Sequence, residues 1–73
     1  MNLNQVKPGQ SIKIDFIPED LELRLFSLGI KAGDSAECIS RSYYGPVVLR
    51  KDRAFNQVAI THRFAEAISV TVK

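Results

Sequence analysis

Leu23-Arg24-Leu25-Phe26-Ser27-Leu28-Gly29-Ile30-Lys31-Ala32-Gly33-Asp34-Ser35 holds five large apolar side chains in its first eight residues and then two glycines four apart. With Leu21 just upstream, Leu25 and Leu28 fall at i, i+4 and i+7, the stripe of a helix that buries one side. Gly29 supplies the left-handed residue that ends such a helix, and in a Schellman ending Ile30 folds back onto Leu25. Leu23 and Phe26 lie off the stripe on its flanks. The packing pattern therefore accounts for Leu21, Leu25, Leu28 and Ile30, and backbone geometry accounts for Gly29 and Gly33. Leu23 and Phe26 are left without a structural need, which makes them the first candidates for contact with a partner.

Upstream, Pro18-Glu19-Asp20 has the composition of a helix start, with proline tolerated in the first turn and acids near the positive end of the dipole. Either Asp20 caps the helix or Pro18 takes its first position. Before it, Pro8-Gly9 marks a turn, and Ser11 to Phe16 alternates polar and apolar, the period of a half-buried strand with Ile12, Ile14 and Phe16 facing inward. Downstream, Gly33-Asp34 forms a second turn. Ser35 to Ser42 reads as a strand with Ala36, Cys38 and Ser40 on one face, the inner one. Tyr43-Tyr44-Gly45-Pro46 is a connection with Pro46 at the opening of the next strand. Val47 to Arg50, Gln57 to Thr61 and Ile68 to Val72 complete five strands, and His62 to Ala67 makes a helical or 3₁₀ turn. Short strands joined by Gly/Pro turns in this order predict a mainly β protein: a small SH3-like barrel of five strands, one helix between the first two and a helical turn before the last.

The 73 residues make one domain, 1–73, and one core of that size supplies only about 3–5 kcal/mol. Cys38 is the single cysteine, so no internal disulfide forms, and no Cys/His group has zinc-site spacing. The absence of an export-type apolar segment, together with the unpaired cysteine, leads to the expectation of a cytoplasmic protein. The net charge of +2 is too modest to imply a nucleic-acid partner, although its distribution is uneven. Residues 1–40 carry four basic and six acidic side chains; residues 41–73 carry six basic and two acidic. The basic half centres on Leu49-Arg50-Lys51-Asp52-Arg53, read as a hairpin tip or strand end: a solvated loop, or a contact for a phosphate or an acidic protein.

Catalytic groupings are sparse. His62 is the only histidine and has no neighbouring acid to orient it; Cys38 sits mid-strand without an adjacent base. The acids Glu19, Asp20 and Glu22 are accounted for by the helix dipole, with metal binding as the other reading. No phosphate-cradling glycine loop is present, and the expectation is a protein that is not an enzyme and carries no cofactor. Tyr43 and Tyr44, paired in a loop, are either contact residues or rings that cap the end of the barrel.

The order of these motifs resembles the FeoA family of small accessory proteins of bacterial ferrous iron uptake. Val6-Lys7-Pro8-Gly9-Gln10 is similar to the family's lead-in, Arg24 to Gly33 to its helix with a Leu-Gly-hydrophobic ending, and Gly45-Pro46-Val47-Val48 to its strand opening. Val58-Ala59-Ile60 and Ala65 to Val70 are similar to its closing strand, helical turn and last strand. Ile60-Thr61 stands where the family commonly has Leu-Arg, and Asn56 stands at a turn where it often has Gly. The resemblance implies an SH3-like barrel, a non-enzymatic role, and a partner in the cytosolic part of the FeoB ferrous iron transporter, with any transition-metal binding by the protein itself weak. On this reading the contact residues are Leu23, Phe26, Tyr43, Tyr44, Arg50 and Arg53, and the membrane is reached only through the transporter. Two alternatives make different demands: a nucleic-acid-binding barrel would use the basic half and the tyrosines, and a direct Fe²⁺ carrier would need Cys38 or His62.

Overall fold

The computed structural model describes residues 1–51 and 56–73. The helix α1 spans Glu19–Ser27, with Pro18 at its N-cap and Glu19, Asp20 and Glu22 in its first turn. Asp20 is therefore not the cap; it lies inside the helix, where its charge meets the exposed amides of the first turn. Proline has no side-chain acceptor, so the start rests on the Leu21 N–H donating to Pro18 O at 2.9 Å.

The C-terminus of α1 is a full Schellman ending. Ile30 N–H donates to Leu25 O and Gly29 N–H to Phe26 O, both at 2.9 Å, with Gly29 at φ 88°. This fold-back buries Ile30 against the core beside Leu21 and Leu25. Leu28 departs from the expected stripe. It is 49% exposed, because it sits at the C-cap as the chain leaves the helix and Ile30 takes the inner place. A Cβ at Gly29 would meet nothing within 4 Å, so the cost of Gly29→Ala is that of the left-handed backbone alone. Urea unfolding of that variant should show a loss of about 1–2 kcal/mol with an unchanged m-value.

Among the described residues five strands follow the expected places closely: β1 Ser11–Phe16, β2 Ser35–Arg41, β3 Val47–Lys51, β4 Gln57–Ile60 and β5 Ser69–Val72. A short helix, α2 (His62–Ala65), precedes β5. All ladders are antiparallel, and the strand order is β4-β3-β2-β1-β5. Ile12, Ile14, Ala36, Cys38, Val47, Leu49 and Val70 come inward from four of these strands, and Leu21, Leu25 and Ile30 cover them.

Two register shifts correct the simple alternation. Between Ile14 and Phe16 the pairing of β1 with β5 slips, so Phe16 turns outward at 57% exposure and Ile17 enters the core instead. A second shift between Cys38 and Ser40 of β2 leaves Ser40 exposed rather than inward.

The mainly β, SH3-like arrangement stands, but the sheet is not closed into a barrel. Residues 1–3 occupy the outer edge of β5: Val70 N–H donates to Met1 O at 2.8 Å, Leu3 N–H donates to Ile68 O at 3.0 Å, and Asn2 bridges Ser69. The edge that closure against β4 would require is already paired. A 3₁₀ turn, Leu3–Gln5, is held by a reciprocal capping box between Asn2 and Gln5, and it buries Leu3 completely.

Candidate protein-interaction surface

The outward face of α1 is built by helical spacing. Glu19, Glu22, Leu23 and Phe26 follow one another at steps of three, one and three residues, which places them on one side of the helix. They border a groove of about 470 Å³ whose lining is completed by Ile17, Lys31 and Ala32. Leu23 is 80% exposed and Phe26 64%. Both expected contact residues of the helix thus share one open groove, with carboxylates from the first turn of α1 and Lys31 from the segment that folds back after it. Smaller depressions continue the surface past Gly29 and Lys51 to Leu28 and Val58.

Glu19, Glu22 and Lys31 did not stand out in the sequence as groove residues. The same i, i+3, i+7 spacing that isolates Leu23 and Phe26 from the core stripe could have found the two glutamates. Lys31 is brought alongside only by the fold-back after Gly29. Arg24, on another side of α1, places its guanidinium 5.2 Å from the centre of the Phe64 ring, a cation–π contact that links α1 to α2.

Tyr43 and Tyr44 are both exposed, so neither ring closes the core. They stack edge-to-face with centroids 4.5 Å apart, and Tyr44 stacks in turn on His62 at 5.8 Å. The pair is therefore preorganised, which lowers the entropy lost on contact. Arg50 lies next to the last residue of β3, the strand end of the two readings. Its guanidinium meets the Glu37 carboxylate at 3.2 Å, directly opposite in the β2–β3 ladder. Exposed pairs of this kind are worth about 0–1 kcal/mol, so the pairing leaves Arg50 exchangeable. Arg53 lies outside the described residues. Gly33 takes φ 93° in the turn before β2, and Pro46 immediately precedes β3, so both serve the backbone.

Cys38 is fully buried, and burial pushes its thiol above the ordinary value, with Arg41 lowering it and Glu37 raising it by less. Among the described residues no three His, Cys, Asp or Glu side chains converge on a point that could hold a metal ion. The native thiol keeps its proton to higher pH than the unfolded one. Its contribution to stability is therefore complete below the unfolded value of about 8.5 and is lost as pH rises through the folded value. Denaturant titrations from neutral to alkaline pH should show this decline, with a shallower one in Cys38→Ala.

No helix among the described residues is long and apolar enough to cross a membrane. Among curated proteins, no match was found. Solved structures do match. A crystal structure of an iron uptake regulatory protein, FeoA, aligns over 100% of this chain and 96% of its own, with a TM-score of 0.86 at 19% identity. An NMR structure of a FeoA-like protein from Clostridium acetobutylicum aligns over 99% of this chain and 85% of its own, with a TM-score of 0.80 at 24% identity. At such identities the likeness establishes a shared fold. The family model of the FeoA domain matches residues 1–72, almost the whole chain, and the chain belongs to the FeoA family.

Proposed function

We propose that this protein is a non-enzymatic accessory protein of ferrous iron uptake that binds the cytosolic part of the FeoB transporter through the outward face of α1. Family membership supports the role in ferrous iron uptake. The observation that carries the choice of surface is the exposure of Leu23 and Phe26 side by side at one groove, where neither packs into the core. Large apolar side chains at the centre of an interface commonly account for most of its binding energy, with a polar rim around them. Here Glu19, Glu22 and Lys31 form such a rim. A module of this kind changes transport by preferring one state of the transporter over another.

Calorimetric titration of the cytosolic part of FeoB with this protein tests the reading. Leu23→Ser and Phe26→Ser should each weaken binding by about 30-fold, the equivalent of about 2 kcal/mol lost at a central contact. Tyr43→Ala and Tyr44→Ala report whether the aromatic pair belongs to the same interface. Unchanged affinity in both α1 variants, with the fold intact by circular dichroism, would show that the transporter is met elsewhere.

A further inference from the structure

The charges of the α1 groove are arranged in a way that one partner of known composition satisfies. Glu19 and Glu22 stand in the first turn, Leu23 and Phe26 in the middle, and Lys31 in the segment that follows the helix. Among the described residues none of these three charged side chains takes part in an ion pair, the two bridges present being Arg50–Glu37 and Lys51–Asp34. An acid–apolar–base order along one face is complementary to itself when a second copy is turned by half a revolution. A twofold interface is isologous, so each patch meets its own counterpart reversed.

We infer that two copies of this chain pair through the outward face of α1, acidic end against Lys31 of the second copy, with Leu23 and Phe26 of both in the centre. The apolar residues supply the knob and the groove alike: Leu23 projects, and the space beside it is bordered by Phe26, Ile17 and Ala32. Area decides how tight the pair is. A stable complex removes about 800 Å² from each partner, more than one face of a nine-residue helix presents. The pair is weak and reversible, and it weakens with added salt because its rim charges are exposed. It covers the same residues as the proposed transporter contact, so pairing and transporter binding exclude each other. The pairing follows from the charges and apolar shape of this face and does not depend on that transporter contact.

Sedimentation equilibrium on the full chain at concentrations up to about 1 mM tests it. The wild type should show a mean mass rising with concentration from the 8.2 kDa of one chain toward twice that value. E19K/E22K carries positive charge at both ends and K31E negative charge at both ends, so each alone should remain monomeric. Mixed in equal amounts they should associate, since every contact of the mixed pair is then attractive. The triple variant E19K/E22K/K31E should pair with itself again. All three positions are exposed, and recovery in the mixture excludes misfolding as the cause of the single-sided losses. A wild type that stays monomeric throughout would overturn the pairing, as would association that ignores the charge reversals or fails to return in the mixture. If a monomeric wild type still binds the cytosolic part of FeoB, the pairing is wrong and the proposed function stands.

Discussion

Leu25→Ala is expected to leave this protein largely unfolded at room temperature, while Leu23→Ala, the same change two residues away, leaves its stability within about 0.5 kcal/mol of wild type. Leu25 is 1% exposed and lies in the core beneath α1, and its carbonyl also accepts the Ile30 N–H that closes the helix. Truncating a buried leucine costs about 2–5 kcal/mol through lost burial and the cavity that remains. A domain of this size holds about 3–5 kcal/mol in total, so one such substitution removes most of it. Leu23 is 80% exposed, and shortening it changes almost nothing inside the molecule. Urea titrations followed by far-ultraviolet circular dichroism would separate the two. Comparable midpoints for Leu25→Ala and Leu23→Ala would mean that α1 is not the lid of this core.

The contrast between these two leucines was legible in the sequence, because helical periodicity is local and the Gly29 ending fixes which side turns inward. The inward places of Ile12, Ile14, Ala36 and Cys38 were legible for the same reason: strand alternation is read over a few neighbouring residues. Phe16 was not, since it is the pairing of β1 with β5, more than fifty residues away in the chain, that slips at that point. Leu28 was misplaced because the stripe was carried one residue past the last helical turn, into the cap. For the surface, Leu23 and Phe26 emerged as apolar residues with no inward duty. The lysine that completes their groove arrives through a turn, and spacing along a helix says nothing about it. Tyr44 was visible as an aromatic residue in a loop, whereas its stacking on His62 depends on α2 lying beside the β2–β3 connection.

The N-terminal segment was the least legible part, and it carries the second large prediction. Asn2 to Val6 is too short for any periodicity, yet Leu3 and Val6 are both completely buried. Their places are set by residues near the other end of the chain: Leu3 N–H donates to Ile68 O, Asn4 Nδ2 donates to His62 O at 3.0 Å, and Val70 N–H donates to Met1 O. Removing residues 1–5 deletes the buried Leu3 side chain and these hydrogen bonds together, and it leaves the outer edge of β5 unpaired. The lost burial costs about 2–5 kcal/mol and each hydrogen bond about 1 kcal/mol, enough to exceed the stability of the domain. An unprotected strand edge also promotes association between chains, so the truncated protein should be both unfolded and prone to aggregate. Leu3→Ala should be destabilised by about 2–5 kcal/mol, but its folded molecules keep the backbone pairing along β5, so it should aggregate less than the truncated chain. Asn4→Ala removes one side-chain bond and should cost about 1 kcal/mol. Thermal unfolding of the three variants, with light scattering recorded alongside, distinguishes core filling from edge protection. If the truncated chain is no less stable and no less soluble than Leu3→Ala, the pairing of residues 1–3 with β5 contributes little, and the open sheet tolerates a bare edge.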